Sequence, residues 1–553
     1  MKKIVLVAAG ILMGGMLLFA AGGRQASGQA DGLTVLKMWG NNIQATWNRE
    51  TAKTSDLYDG SVKSRVWDQF VADLAKNGIK PELTLVMSDQ MPTAFQTLLA
   101  SGRINDYDWI APIAVDERTR LSLVEQGRLA PLNQAIERYS DGRAKDFYLN
   151  NPQTAYLAKL DTLEDGNFYW LTHNGRSWLK DPSVPWGTAM LGLIRQDWLD
   201  QLGLPMPKTP DEFYNALVAF RQRDVNGNGL RDEIALVPEE GFGLGIPQWF
   251  GLGDSIVSAL DGKAVSPWYQ SGVKDFFTYM NSLYRAGLIQ LTQESGENAA
   301  NRVGYLTSYS AEFWEEPNIN LPAGAAKAYY NPVVIQALPD IPARVHHQGY
   351  GYGVYWGSSM HAVPAGSKNL EKTVRLIDYL VSDDFFVLTN RGIKGYNHDE
   401  NPDGTFTFYH GTEGIDQYVL GYQISGIFRG WNCLFPNYDR TDRAAEYAQL
   451  QDQAKQYGYT VEFRKDFYDG FNSNRWPFVM GSEAVLTFPT AKEVERSAAI
   501  SPDLNTYSNE LIASLIMGEK SLANWDGYIA DLKRLGLDEL IGIFQARMDR
   551  LKN

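Results

Sequence analysis

Three stretches decide the fold class: LTVLKMW at residues 33–39, VKSRVWDQFVADLAKN at 62–77 and LTLVM at 83–87. The first and third are short apolar runs that predict strands, whereas the second repeats apolar residues at helical spacing. A second helix is predicted near 93–100, and a third short strand at 107–111. Strands that alternate with helices predict parallel βαβ units, and therefore an α/β fold.

Polar and aromatic residues end or follow these predicted strands. Ligands of open α/β sheets bind beyond the carboxyl ends of the strands. Residues at those ends are therefore candidates for ligand contact, although any single polar residue there could instead belong to an ordinary turn. The candidates from this part of the chain are Trp39, Asn41, Ser88, Asp89 and Trp109.

A second unit is predicted to begin near Phe168. It has a strand at 191–195 and a short helix at 197–203 that a glycine ends. The next helix has a clear start, because Thr209 can cap it and Glu212 can complete a capping box.

The loop DVNGNGLRDE at residues 224–233 carries the sharpest local signal. Its oxygen side chains occupy the first, third, fifth and ninth places, glycine the sixth, and a backbone carbonyl is available at the seventh. That is the ligand order of a calcium loop. The alternative is a solvated Asn/Gly turn, but the spacing favours structural Ca²⁺. The residues in question are Asp224, Asn226, Asn228, Leu230 and Asp232.

The loop departs from an EF-hand at its end. The twelfth place is Ala235, where an EF-hand has a bidentate glutamate. Glu233, at the tenth place, is the obvious substitute. A structural role is expected, since no base or nucleophile stands beside the loop in sequence.

The N-terminus predicts export. Lys2 and Lys3 precede an apolar run at 4–20, and small residues follow it, which is the order of a secretory signal peptide. An uncleaved anchor is the alternative, but the run is a little short for a span of about 20 residues. We expect cleavage after residue 20 and a flexible tether at 21–31. We expect no lipid anchor through cysteine, because the only cysteine is Cys433.

Composition sets broad limits on function. A chain of 553 residues is long enough for two or more domains, and 44% hydrophobic with 21% charged residues is ordinary for a soluble protein. The formal net charge of −14 argues against nucleic acid as a partner and against anionic lipid surfaces.

Several motifs in order carry a family resemblance. IRQDWLDQLGL at 194–204 and PKTPDE at 207–212 precede the loop at 224–233, and YRAGLI at 284–289 follows it. Further likeness lies at 364–380, 522–526 and 535–537. The chain resembles family 1 extracellular solute-binding proteins of ABC importers. Within that family it is similar to the large calcium-containing, oligosaccharide-binding subgroup that includes alginate-binding proteins.

The resemblance implies a two-lobed α/β fold of the type II periplasmic-binding-protein kind, with hinge strands between the lobes. It implies that one lobe comprises 32–168 and 350–412, and the other 169–349 and 413–553. It also implies that the six loop residues named above, from Asp224 to Glu233, bind calcium. The expected partners are an oligosaccharide or other small ligand and the transmembrane subunits of an ABC permease, with the binding protein a monomer at the extracytoplasmic face of the membrane.

Carbohydrate binding also agrees with the residue types. Sugar C–H faces stack on aromatic rings, and sugar hydroxyls bind planar polar groups. Each aromatic residue taken alone could equally be a core residue. The further candidates for ligand contact are His173, Asn174, Tyr309, Trp314, Tyr352, Trp356 and Trp431.

Three other functions stay open at this point. A glycoside hydrolase would need a pair of carboxylates in a sugar cleft, and no catalytic motif emerges. A surface lectin would need neither hinge nor transporter, and related folds bind peptides. The residues Arg176, Arg302 and Arg475 could pair with an acidic sugar or simply lie at the surface.

Overall fold

The structure is a computed structural model, and it describes part of the chain. The described residues are 32–42, 62–87, 90–152, 154–172, 190–237, 242, 245–253, 255–260, 262–290, 302–309, 330–332, 359–396, 398–402, 406–408 and 486–552. Among them, no helix is both long enough and apolar enough to cross a bilayer.

Strands and helices alternate through the first part of the chain, as predicted. The strands are β1 Thr34–Asn42, β2 Ile79–Met87, β3 Trp109–Ala114, β4 Trp170–Thr172, β5 Met190–Arg195, β6 Ile234–Leu236, β7 Ser258–Leu260, β8 Lys263–Val265, β9 Val303–Tyr309, β10 Tyr330–Pro332, β11 Ser359–Ala362, β12 His398–Glu400 and β13 Phe406–Phe408. The helices are α1 Val62–Lys76, α2 Met91–Ala100, α3 Glu117–Glu125, α4 Leu132–Tyr139, α5 Ala155–Asp161, α6 Gln196–Leu202, α7 Pro210–Gln222, α8 Val273–Arg285, α9 Leu370–Leu380, α10 Asp383–Arg391, α11 Ala491–Met517, α12 Trp525–Arg534 and α13 Leu537–Lys552. Shorter helical turns lie at Arg103–Asp106, Arg143–Lys145, Asp146–Asn150, Ile246–Trp249, Pro267–Tyr269 and Leu522–Asn524.

The first sheet has the strand order β2-β1-β3-β11-β4. β1 pairs in parallel with both β2 and β3, which confirms the predicted parallel βαβ units. β11 arrives from much later in the chain and pairs antiparallel with both β3 and β4. A large core beside this sheet joins β1 and α1 to α9 and α10 through residues such as Leu36, Phe70, Ile377 and Phe385.

The second sheet has the order β10-β5-β9-β6 and its own core. Only β6 and β9 are parallel; β5 pairs antiparallel with β9 and with β10. The centre of this sheet is tightly packed: a Cβ added at Gly304 would lie 2.6 Å from Phe220 and 3.1 Å from Trp198. Residue 304 therefore has to be glycine for α6 and α7 to lie this close to β9.

The start of α7 confirms one half of the predicted capping box. The Thr209 hydroxyl accepts a hydrogen bond from the Glu212 N–H at 3.2 Å, as a threonine N-cap should. The Glu212 carboxylate, however, accepts from the N–H of Lys208 at 2.7 Å, one residue before the cap. The glutamate thus still satisfies a backbone donor at the helix entrance, but not the one predicted.

The predicted boundary between the two units lies too early. β4, at Trp170–Thr172, is hydrogen-bonded to β11 in the first sheet, and Trp170 is buried beside Met360 and Trp39. A boundary at 168/169 would remove this strand from its sheet. The first unit therefore extends at least to Thr172.

The C-terminal helices contact both units. Leu537 and Leu540 of α13 are buried in the core of the second sheet. Further along α13, Arg547 is 6% exposed and donates to the Thr487 carbonyl at 2.8 Å and to Glu117 of α3 at 3.3 Å. Helix α3 follows β3 of the first sheet, so α13 holds the two units together at this point.

Glu493 contributes to the same junction and gives a pH-dependent prediction. It completes the capping box of Thr490 at the start of α11, and its two oxygens accept from Arg550 at 2.8 and 2.7 Å. Burial alone would raise its pKa, but the hydrogen bonds from Arg550 and the Thr490 N–H outweigh burial and lower it. The ionised form is therefore more favourable in the folded protein than in the unfolded chain.

Because the folded-state pKa of Glu493 is depressed, its contribution to stability is complete above the ordinary glutamate pKa and is lost as pH falls through the lower folded value. We expect Glu493→Gln to cost about 1–2 kcal/mol at pH 7, and less as the pH falls below about 4. Urea unfolding at several pH values measures this. The exposed neighbour Glu495 gives the control substitution Glu495→Gln. A cost that is the same at pH 3 and pH 7 would contradict the assignment.

Candidate functional site

The loop at residues 224–233 lies in the second unit, between the end of α7 and the start of β6. Helix α7 is fixed to the core by its buried face, which carries Phe213, Leu217 and Phe220. β6 is buried along its whole length and pairs with β9. Both ends of the loop are thus anchored in one packed unit.

Asp224 organises the first half of the loop. Its carboxylate accepts from the backbone N–H groups of Asn228 at 3.0 Å and Gly229 at 2.8 Å. Gly229 has a φ of +82°, a conformation that residues with a Cβ rarely adopt. The predicted need for glycine at the sixth place is met by this turn.

The side chains at the third and fifth places also accept hydrogen bonds from the loop backbone. The amide oxygen of Asn226 accepts from the Asn228 N–H at 3.0 Å, and that of Asn228 accepts from the Leu230 N–H at 2.8 Å. Leu230 is 60% exposed, so its side chain is not part of the core. Packing therefore does not explain that residue; what its position supplies to the loop is a backbone carbonyl.

Glu233 is the most informative residue of the loop. It is 2% exposed, and its Oε1 accepts from the N–H groups of Val225 at 2.8 Å and Asn226 at 3.3 Å. Its second oxygen, Oε2, is buried and receives no hydrogen bond from the described residues. A buried carboxylate oxygen without a donor is costly unless a cation lies beside it. The residues present therefore fit a bound calcium ion.

Asp232 faces two ways. Its Oδ1 accepts from the side-chain amides of Asn226 at 3.3 Å and Asn228 at 3.0 Å, while Oδ2 lies 3.0 Å from Nε of Arg302. Burial alone would raise the pKa of Asp232, but the two amide hydrogen bonds and the charge of Arg302 lower it. The carboxylate is therefore ionised at neutral pH, as a ligand of a hard cation must be.

The carboxylates of this loop do not gather on their own. Within the described ranges, no three His, Cys, Asp or Glu side chains lie close enough together to hold a metal ion. The predicted ligand set also includes two amide oxygens and one backbone carbonyl, which suit calcium.

Two residues expected to contact a ligand are core residues. Trp109 has no exposed surface and belongs to the core with Leu36 and Phe168. Trp39 is 4% exposed, and its ring centroid lies 5.7 Å from that of Phe95. We correct the expectation for both indoles, because side chains enclosed by the core cannot stack on a sugar.

Asn41 and Tyr309 have the backbone positions that were expected. Asn41 lies near the carboxyl end of β1, and Tyr309 is the last residue of β9. The remaining candidates lie outside the described residues: Ser88, Asp89, His173, Asn174, Trp314, Tyr352, Trp356 and Trp431.

Arg302 is the residue whose role the sequence did not reveal. It was a candidate partner of an acidic sugar or a surface residue, but it pairs with Asp232. No local sequence pattern predicts this ion pair, because the two residues meet only through the pairing of β6 with β9.

Two α/β units, each with its own sheet and core, define the class of two-lobed α/β proteins. The sequence profile of the bacterial extracellular solute-binding proteins matches residues 60–385, which is more than half of the chain. The chain therefore belongs to the bacterial extracellular solute-binding protein family.

Known proteins agree with this assignment. The fructooligosaccharide ABC transporter substrate-binding protein FusA of Streptococcus pneumoniae is 25% identical over 456 residues, which is 78% of this chain and 77% of FusA. The solved structure of a FusA EF-hand mutant in complex with fructo-nystose superposes with a TM-score of 0.64 at 19% identity, covering 94% of this chain and 99% of that one. The alginate-binding protein AlgQ2 without calcium ion superposes with a TM-score of 0.59 at 18% identity, covering 93% and 98%. These likenesses confirm the predicted two-lobed α/β fold.

Proposed function

We propose that this protein is the extracytoplasmic binding component of an ABC importer, and that it binds an oligosaccharide between its two lobes. The observation that carries the proposal is the match to FusA, a protein named for fructooligosaccharide transport. The match spans most of both chains. Family membership supports export and solute binding. Signal-peptide cleavage and a monomeric state are parts of the same proposal.

The mechanism follows from the two units. A ligand that contacts both lobes binds the closed arrangement more tightly than the open one, so it shifts the population toward closure. The closed form is then the form that permease subunits recognise. Residues 32–172 with 350–412 form one lobe in this proposal, and the second sheet with α11 and α12 forms the other. The protein itself carries out no chemical step.

Calcium in the loop at 224–233 is the second part of the proposal. Two observations support it. The Oε2 atom of Glu233 is buried and receives no hydrogen bond from the described residues, and the spacing of oxygen-bearing residues along the loop is that of a calcium loop. A bound calcium ion supplies positive charge to these oxygens. The protein's own residues hold the loop closed: backbone N–H groups orient Asp224, and the α7 and β6 anchors fix its two ends.

Titration calorimetry with kestose, an alginate oligosaccharide and a peptide mixture tests the ligand class. We expect one-to-one binding of one carbohydrate, with compaction in small-angle scattering and no turnover of the sugar. Tyr309→Ala is expected to weaken binding about tenfold or more, whereas Tyr269→Ala, at an exposed tyrosine of the second unit, leaves it unchanged. Hydrolysis of the sugar would support an enzyme, and peptide binding alone would overturn the carbohydrate assignment.

A further inference from the structure

Arg302 connects the calcium loop to the second sheet. It lies directly before β9, and its backbone carbonyl accepts from the Ile234 N–H at the start of β6 at 2.7 Å. Its guanidinium Nε donates to the Asp232 carbonyl at 2.9 Å and lies 3.0 Å from Asp232 Oδ2. One side chain therefore holds both the backbone and the carboxylate of the same loop residue.

The two oxygens of the Asp232 carboxylate have different partners. Oδ2 is directed at Arg302, while Oδ1 is directed at the amides of Asn226 and Asn228 inside the loop. With about a quarter of each side chain exposed, the ion pair is partly shielded from solvent. A carboxylate fixed at one oxygen presents the other in a defined direction, which is how partners beyond the ligands orient a metal site.

We propose that Arg302 is a positioning residue for calcium, which it serves by holding Asp232 in its ligating orientation. The proposal rests on the calcium site proposed above. A cation beside a metal ligand has two opposing effects: it repels the incoming ion and it orients the ligand. The repulsion is weakened by solvent at this partly exposed position. Solvent does not weaken the orienting effect in the same way, because that effect depends on two short contacts to one residue. We therefore expect the net effect of Arg302 to be tighter calcium binding.

The chain offers a matched control in Arg221. Its guanidinium also donates to the loop, at the carbonyls of Arg231 and Glu233, 3.1 and 3.3 Å away. Those contacts hold the loop backbone but touch no carboxylate of the predicted ligand set. If Arg302 only tethered the loop, the two arginines would have similar effects on calcium binding.

The experiment measures calcium affinity by calorimetry, after chelator treatment, for the full chain and for Arg302→Gln, Arg302→Lys and Arg221→Gln. We expect calcium to bind Arg302→Gln about 10–100-fold more weakly than the unmodified chain. Arg302→Lys should be intermediate, because an ammonium can pair with Oδ2 but lacks the planar geometry that serves the carbonyl as well. Arg221→Gln should stay within about threefold of the unmodified chain.

Melting temperatures in chelator separate positioning from general stability, since a purely structural role would lower them without changing calcium affinity. Equal or tighter calcium binding by Arg302→Gln would overturn the inference, and so would equal weakening in Arg221→Gln. Calcium binding by the unmodified chain with no effect of Arg302 refutes only this inference. No calcium heat in the unmodified chain refutes the calcium site and the inference with it.

Discussion

Glu233→Gln is expected to abolish the stabilisation that calcium gives to this protein. In the unmodified chain, calcium at a hundredfold excess over its Kd should raise the free energy of unfolding by about 2.7 kcal/mol, because it binds only the folded loop. The glutamine keeps an oxygen for the N–H groups of Val225 and Asn226. It removes the negative charge that a buried cation requires.

The same substitution should have the opposite effect in chelator. Without calcium, the Oε2 atom of Glu233 is a buried carboxyl oxygen with no donor among the described residues. Replacing the carboxyl with an amide removes the cost of burying this oxygen without a partner. We therefore expect the variant to be at least as stable as the unmodified protein in chelator, and less stable in calcium.

Calorimetric melting in calcium and in chelator checks both halves of this prediction. Asp211→Asn is a suitable control, since it removes an exposed carboxylate from the first turn of α7 without touching the loop. If Glu233→Gln still gained stability from calcium as the control does, Glu233 would not be a ligand. If the unmodified chain did not respond to calcium, the metal site itself would be refuted.

The local sequence was sufficient for features that local interactions determine. The strand and helix alternation from β1 to β3 follows from apolar spacing, and the N-cap at Thr209 follows from side-chain chemistry. The inward fold of the loop at 224–233 agrees with its oxygen and glycine spacing. None of these features requires knowledge of a distant partner.

Features that depend on distant partners were not predictable. The three residues of β4 belong to the first sheet only because β11 lies beside them. An indole at a strand end suits a core and a sugar platform equally well. Only the packing of α2 against Trp39, and the inclusion of Trp109 in the core that contains Leu36 and Phe70, decide for the core. Arg302 meets Asp232 through strand pairing, which one sequence does not reveal.

Phe213→Ala and Phe385→Ala are expected to cost similar stability, about 3–5 kcal/mol each, but to differ in their response to calcium. Both rings are fully buried. Phe213 packs between Trp249 and Tyr305, each 4.9 Å away between ring centroids, in the core of the second sheet. Phe385 packs on Tyr379 at 5.4 Å in the core of the first.

The difference arises because the loop at 224–233, where calcium is proposed to bind, follows α7, and α7 carries Phe213. Calcium that binds the folded loop stabilises the unit that contains α7, so it should restore part of the loss in Phe213→Ala. If the two lobes unfold as separate units, Phe385→Ala melts the first lobe at a temperature that calcium does not change. Differential scanning calorimetry with and without calcium resolves the two transitions. Equal calcium shifts in both variants would contradict this prediction. They would show that α13, through the contact between Arg547 and Glu117, joins the lobes into one cooperative unit.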